Sequence, residues 1–223
     1  MKALLLNGPG QPFSIETIED PTPQKGYAVA KVLACGSGLT IQHVKAGRIT
    51  VNYPRIIGHE IIGEIVEIKG HGGDLEIGTP VTAFFYLTCG HCRWCNIDRE
   101  TLCDNFRGYI GREIDGGYAE YIKLPIENFI KIPEEIDYKN NLLETAVVCD
   151  AVATPLKIIK KARILSFDKV GVIGAGGGLG IHMLKMLKLN NISAIVNYQK
   201  HLLKKMIFIL QANVTLIVSK TLN

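Results

Sequence analysis

Cys89, Cys92, Cys95 and Cys103 constrain what this chain can fold into more than any other feature. The spacing is CxxCxxC, then seven intervening residues, then the fourth cysteine. It lets a short knuckle and a returning segment bring four thiolates to the corners of a tetrahedron, the closed geometry of structural zinc. Three thiols packed this tightly are poor disulfide partners for one another, and disulfides need an oxidising compartment. The chain opens Met1-Lys2 with no apolar run or cleavage site of a secretory leader behind it. The expectation is therefore a cytoplasmic chain carrying Zn2+. His91 sits inside the knuckle and, with four cysteines present, reads as a solvated loop residue.

The remaining composition excludes several classes. Over 223 residues, 47% are hydrophobic and 21% charged, which suits one large or two modest globular domains. The most apolar runs, such as Met206 to Leu210, are far too short to span a bilayer, so no membrane partner is expected. A net charge of +4 is small and scattered, and it does not point to nucleic acid.

Taken in order, the first part of the chain reads as short strands broken by glycine and proline: Ala3 to Leu6, Phe13 to Thr17, Ala28 to Ala34 and Ile61 to Ile68. Such a series suggests a partly open β-barrel. A polar passage around Pro133 to Asn141 leads into an apolar stretch, Leu142 to Ile159, which reads as a helix crossing between domains. Lys169 to Ile173 is then a short buried strand, Gly174 to Gly180 a glycine turn, and Ile181 to Leu189 an amphipathic helix. Strand, glycine turn and helix in that order make the start of a dinucleotide-binding fold, because backbone N–H groups and the helix N-terminus face a pyrophosphate. Glycine at 174, 177 and 180 replaces the strict GxGxxG spacing, since position 179 is leucine, and Gly178 lies in the same turn. A second strand, Ile192 to Val196, a lysine-rich segment, Lys200 to Leu210, and a third strand, Val214 to Val218, follow. The fold class is α/β.

Three stretches carry a resemblance: Gly58-His59-Glu60, the cysteine knuckle, and Asp115-Gly116-Gly117-Tyr118-Ala119-Glu120-Tyr121. In their order and spacing the chain resembles the zinc-containing medium-chain alcohol dehydrogenases. The resemblance implies a GroES-like barrel with a structural zinc lobe over residues 1–150 and the first half of a Rossmann NAD(P)-binding fold over residues 151–223. It also implies a truncation at the C-terminus, with roughly a hundred residues or more absent at about 30 per βαβ unit. The half sheet would leave an edge through which copies could associate.

The same resemblance assigns site residues. His59 matches a ligand of a catalytic zinc, and Glu60 the neighbouring glutamate that can join its shell. Asp150 matches the third ligand, with Cys149 beside it as a substitute. The cysteine ligand's position is Gly38, which offers no side chain, and Ile41 stands where an aspartate is usual; Cys35 matches a non-ligand position. Thr40 matches the hydroxyl that passes the alcohol proton onward, and His43 the histidine that takes it to solvent. Asn197 stands where an acid would hold the ribose hydroxyls of NAD, and with Lys200 nearby the cofactor leans to NADP.

The function implied is hydride transfer between NAD(P) and a small alcohol or carbonyl substrate. Two alternatives stand beside it: a relative resembling enoyl reductases that keeps only the structural zinc, which Gly38 favours, and a truncated remnant without catalysis.

Overall fold

The computed structural model describes residues 1–196, 207–211 and 214–218; Asn197 and Lys200 lie outside the described residues. The chain divides into two compact units, Met1–Cys149 and Asp150–Asn223.

The first unit is built on two antiparallel sheets. Strands β1 (Lys2–Leu6), β2 (Phe13–Thr17) and β4 (Arg55–Ile56) form a three-stranded sheet in the order β2-β1-β4. Strands β3 (Tyr27–Cys35), β5 (Ile61–Lys69), β6 (Pro80–Ala83), β7 (Tyr121–Pro125) and β8 (Phe129–Lys131) form a five-stranded sheet in the order β7-β3-β5-β6-β8. Leu4 donates to the Tyr118 carbonyl at 2.8 Å, and Glu120 to the Lys2 carbonyl at 3.0 Å, so the Tyr118 to Glu120 segment stitches the sheets into a partly open barrel. Pairing of β3 with β5 shifts register between Val29 and Ala30 and again between Val32 and Ala34. Bulges of this kind bend a sheet toward closure.

Alternation fills the interior. Ala28 and Ala30 on β3, Ile61 and Ile65 on β5, Val81 and Ala83 on β6, and Ile122 and Leu124 on β7 form one buried cluster. Each fully buried branched aliphatic side chain there contributes about 1.5–3 kcal/mol. Helix α1 (Leu39–Lys45) turns Ile41, His43 and Val44 inward, and Ile41 and Val44 pack with Leu6, Val51 and Ile57.

The apolar stretch after Asn141 is not one helix. It breaks into α2 (Leu142–Ala146), a π-helical turn (Val148–Val152) and α3 (Ala153–Ala162). The β-branched Val147, Val148 and Val152 are poor helix formers, and Pro155, which has no N–H to donate, falls in the first turn of α3 directly after the π-helical turn.

In the second unit, β9 (Lys169–Val172) pairs in parallel with β10 (Ser193–Val196), and α4 (Gly178–Leu189) connects them. Val170, Val172, Met183 and Leu187 make the core of this βαβ start. Strand β11 (Ile207–Gln211) pairs antiparallel with β12 (Val214–Val218), so the end of the lysine-rich segment is itself a strand. Its continuous apolar run lacks the 3.6-residue spacing of a helix face.

Candidate functional site

The knuckle brings four sulfurs together. The Sγ atoms of Cys89, Cys92, Cys95 and Cys103 all lie within 4.8 Å of one another. Individual separations are 3.5 Å for Cys92 to Cys95 and Cys89 to Cys103, and 4.0 Å for Cys89 to Cys95 and Cys92 to Cys103. Zn–S bonds of ~2.3 Å arranged tetrahedrally give edges of about 3.8 Å, so this set can hold zinc, whereas a disulfide needs about 2.05 Å. Two backbone amides point at the sulfurs: Cys92 N–H donates to Cys89 Sγ and Cys89 N–H to Cys103 Sγ, both at 3.3 Å. Such N–H donors stabilise thiolates and orient ligands. The His91 backbone and then the Cys92 backbone hold the Cys89 thiol down to about 6, while burial first and a shared proton with Cys92 second push Cys95 up to about 12. His91 is exposed and its Nδ1 lies 2.6 Å from the Cys89 carbonyl oxygen, so it caps the loop and takes no part in the sulfur set.

A second constellation sits where β3 ends and β5 begins. His59 and Glu60 are 9% and 4% exposed, and the His59 ring lies against Phe85 with centroids 4.9 Å apart. Their loop is held by the Asp115 to Tyr121 motif: Gly116, Gly117 and Tyr118 donate to the carbonyls of Ile56, Gly58 and Ile57 at 2.7, 2.9 and 3.0 Å. A Cβ on Gly116 would lie 2.1 Å from the Gly58 carbonyl oxygen, so the double glycine lets the two backbones touch. Arg55 closes the same junction through a 2.8 Å bond to Asp115.

Glu60 reaches over the glycine loop that follows β3. Gly36 donates to the Glu60 carbonyl at 2.7 Å, and a Cβ on Gly36 would meet Glu60 Oε2 at 2.6 Å. Burial and then the Glu60 charge push the Cys35 thiol up to about 12, and the Tyr118 hydroxyl is also raised, chiefly by burial. Cys35 is a protonated, packed side chain between Gly58 and Gly117. Cys149 Sγ lies 3.1 Å from Thr82 Oγ1, and Thr154 donates to Asp150 at 3.0 Å. Among the described residues, the four-cysteine set is the one group of three or more metal-ligating side chains whose donor atoms converge. His59, Glu60 and Cys149, all in the first unit, do not form another.

Thr40 and His43 both lie on α1, three positions apart. Thr40 is half-buried. His43 is only 7% exposed, because α1 turns Ile41, His43 and Val44 inward. Its Nδ1 lies 3.0 Å from Nη1 of Arg48, and its Nε2 is buried with no hydrogen-bond partner. An unpartnered buried polar atom of this kind costs about 1–3 kcal/mol. Sequence spacing did not single out Arg48 or Phe85, because both act through tertiary contact; the Asp115 to Tyr121 motif was visible, but its work in seating His59 was not.

The glycine turn has the shape a dinucleotide needs. Gly174 adopts φ +77°, a left-handed value that favours glycine, and Gly177 precedes α4 without a side-chain cap. A Cβ on Gly180 would lie 2.2 Å from the Gly174 carbonyl oxygen and 2.6 Å from Ala175 Cα, whereas one on Gly176 or Gly178 would meet nothing within 4 Å. The inner side of the turn is closed and the outer side clear. No acidic residue occupies the first turn of α4, so its amides and positive dipole end can receive an anion. The residues present fit a pyrophosphate.

No helix among the described residues is long and apolar enough to cross a membrane. Comparison with known proteins gives a match to the alcohol dehydrogenase GroES-like domain over residues 24–134. The chain is 30% identical over 189 residues to an acryloyl-coenzyme A reductase of Sulfurisphaera tokodaii, covering 84% of this chain and 55% of that protein. It is 31% identical to an alcohol dehydrogenase of Geobacillus stearothermophilus, covering 92% and 60%. The solved structure of a cobalt- and zinc-bound thermostable alcohol dehydrogenase from Pyrobaculum aerophilum superposes with a TM-score of 0.81 at 28% identity, covering 90% of this chain and 60% of that one. The chain thus spans somewhat more than half the length of the curated relatives it matches. Because these likenesses extend through the barrel, the knuckle and the glycine turn alike, the chain belongs to the zinc-containing medium-chain alcohol dehydrogenase family.

Proposed function

We propose that this chain is an NAD(P)-dependent oxidoreductase whose one metal is the structural zinc of Cys89, Cys92, Cys95 and Cys103, and whose substrate is a double bond activated by an adjacent carbonyl. The observation that carries the reading is the pairing of Gly38 with a single convergent ligand set among the described residues. A catalytic zinc polarises an alcohol or carbonyl oxygen and needs three protein ligands with one open position. Reduction of an enone or enoyl thioester needs none: a hydride adds to the β-carbon, a proton to the α-carbon, and the thioester or ketone carbonyl carries the transient negative charge. The acryloyl-coenzyme A reductases among the relatives support this class.

In this reading residues 1–150 supply the substrate wall and the zinc lobe, and residues 151–223 begin the dinucleotide site. A bound nicotinamide supplies the hydride. Gly174, Gly177, Gly178 and Gly180 shape the turn that receives the pyrophosphate, and Gly180 allows α4 to close on it. Asn197, in place of a carboxylate, does not repel a 2′-phosphate, which favours NADP.

Alcohol oxidation is the second reading, favoured by the buried, adjacent His59 and Glu60. Zinc content and turnover separate the two. About one zinc per chain with NADPH oxidation in the presence of an enoyl thioester is the expected result. About two zincs with alcohol-dependent NAD+ reduction would replace it. Zinc-loaded protein inert toward both substrate classes would sink both readings in favour of a chain without catalysis.

A further inference from the structure

We infer that Arg48 is a positioning residue that fixes His43 as the neutral tautomer with its proton on Nε2, so that His43 presents a hydrogen-bond donor and no vacant acceptor nitrogen. The argument starts from the 3.0 Å contact between Arg48 Nη1 and His43 Nδ1. A guanidinium has donors only, so Nδ1 must be the acceptor. A neutral imidazole with Nδ1 accepting carries its hydrogen on Nε2, and an imidazolium would turn an N–H toward the guanidinium N–H, with like charges in contact.

The local chain explains why Arg48 reaches this position. Helix α1 ends at Lys45, and Gly47 adopts φ +70° with a Cβ position only 2.7 Å from Pro9 Cβ. The backbone folds back there, and the Arg48 and Ile49 amides both donate to the His43 carbonyl, at 2.9 and 3.3 Å. The helix terminus and the guanidinium therefore hold the same histidine from backbone and side chain together. Nε2 is the counterpart of this arrangement: it is buried and has no partner. On this tautomer the unpartnered buried atom is an N–H donor, and the lone pair of the other nitrogen is taken by Arg48.

The consequence bears on the proton path from Thr40 to His43 that belongs to the second reading, alcohol oxidation, on which the functional part of this inference rests. A proton passed from Thr40 cannot be taken up by His43 while the Arg48 bond holds, since neither nitrogen has a free lone pair. The tautomer itself is independent of turnover, and so is its test.

The experiment uses the full chain labelled with 15N on its histidine rings, with long-range 1H–15N correlation spectra recorded near neutral pH. The His43 pattern is identified as the one lost in His43→Gln. The expected result is a single tautomer, with a pyridine-type Nδ1 and a pyrrole-type Nε2, shifting toward a tautomer-averaged pattern in Arg48→Met. An averaged pattern, an Nδ1–H tautomer or an imidazolium in the unmodified chain would overturn the inference, as would an unchanged pattern in Arg48→Met. Should Arg48→Met not fold, the spectrum of the unmodified chain decides alone.

Discussion

The Cβ that Gly38 lacks would lie 3.6 Å from Oε2 of Glu60, in ordinary contact and with nothing else within 4 Å. The backbone at Gly38 is extended, with φ −84° and ψ −178°, so any residue can take its place. A side chain at 38 would therefore enter beside the buried carboxylate without strain. Gly38→Cys is expected to raise zinc content from about one to about two per chain, because a thiolate would join His59 and Glu60. Elemental analysis of the dialysed variant checks this, and a value that stays near one would show that the histidine and glutamate cannot converge on a metal even with the cysteine supplied.

Removing a knuckle ligand has the opposite effect. Cys103→Ser leaves three sulfurs where four converge, and its zinc affinity is expected to fall by more than ~100-fold, beyond the loss typical of an outer-shell partner. Metal binding here is also folding free energy, so chelation of the unmodified chain should lower its Tm by several degrees and Cys103→Ser should match the chelated protein. Calorimetry with and without chelator gives the answer; equal Tm values in all three states would contradict it.

Two glycines in the same turn should behave differently. Gly180→Ala drives a methyl against the Gly174 carbonyl oxygen and Ala175 Cα, which are backbone atoms that cannot step aside. The expected cost is about 1–3 kcal/mol, with weakened dinucleotide binding. Gly178→Ala points into open space and should stay within about 0.5 kcal/mol of the parent. Thermal unfolding of the pair, with NADPH titrated by fluorescence, separates them, and equal destabilisation would refute the geometry.

Cys35 predicts an alkaline loss of stability. Its thiol is raised from 9.0 to about 12, first by burial and then by Glu60. The folded chain therefore keeps this proton where the unfolded chain has released it. Between about pH 9 and 12 the unfolded state binds fewer protons, so stability falls as pH rises. Below that window Cys35 contributes no pH dependence. Denaturant unfolding across the range should show a fall on the order of 2–4 kcal/mol attributable to this group, absent in Cys35→Ala. Parallel curves for the two proteins would rule the assignment out.

Much of this was legible in the chain. The knuckle is a local signal, since four cysteines within fifteen residues can only converge, and the structure sets their sulfurs at tetrahedral spacing. The early strands follow from short runs broken by glycine and proline, and the glycine turn between β9 and α4 follows from Gly174 to Gly180. What was misread was misread for a physical reason. The Leu142 to Ile159 stretch is mostly apolar and reads as one helix, but it falls into three helical pieces, and composition does not reveal such a break.

By itself the sequence determined the ligand set of the knuckle, the absence of a side chain at Gly38 and the family order of the motifs, because each depends only on residue identity and spacing. Only the tertiary structure decided what surrounds them. It packs Glu60 over Gly36, holds the Ile56 to Gly58 backbone ahead of His59 against Gly116 and Gly117, and turns His43 inward to meet Arg48. These contacts join segments separated by a helix turn or by half the barrel. Burial, which sets the protonation of Cys35 and the value of each hydrogen bond, is a property of the packed fold and of no single stretch of chain.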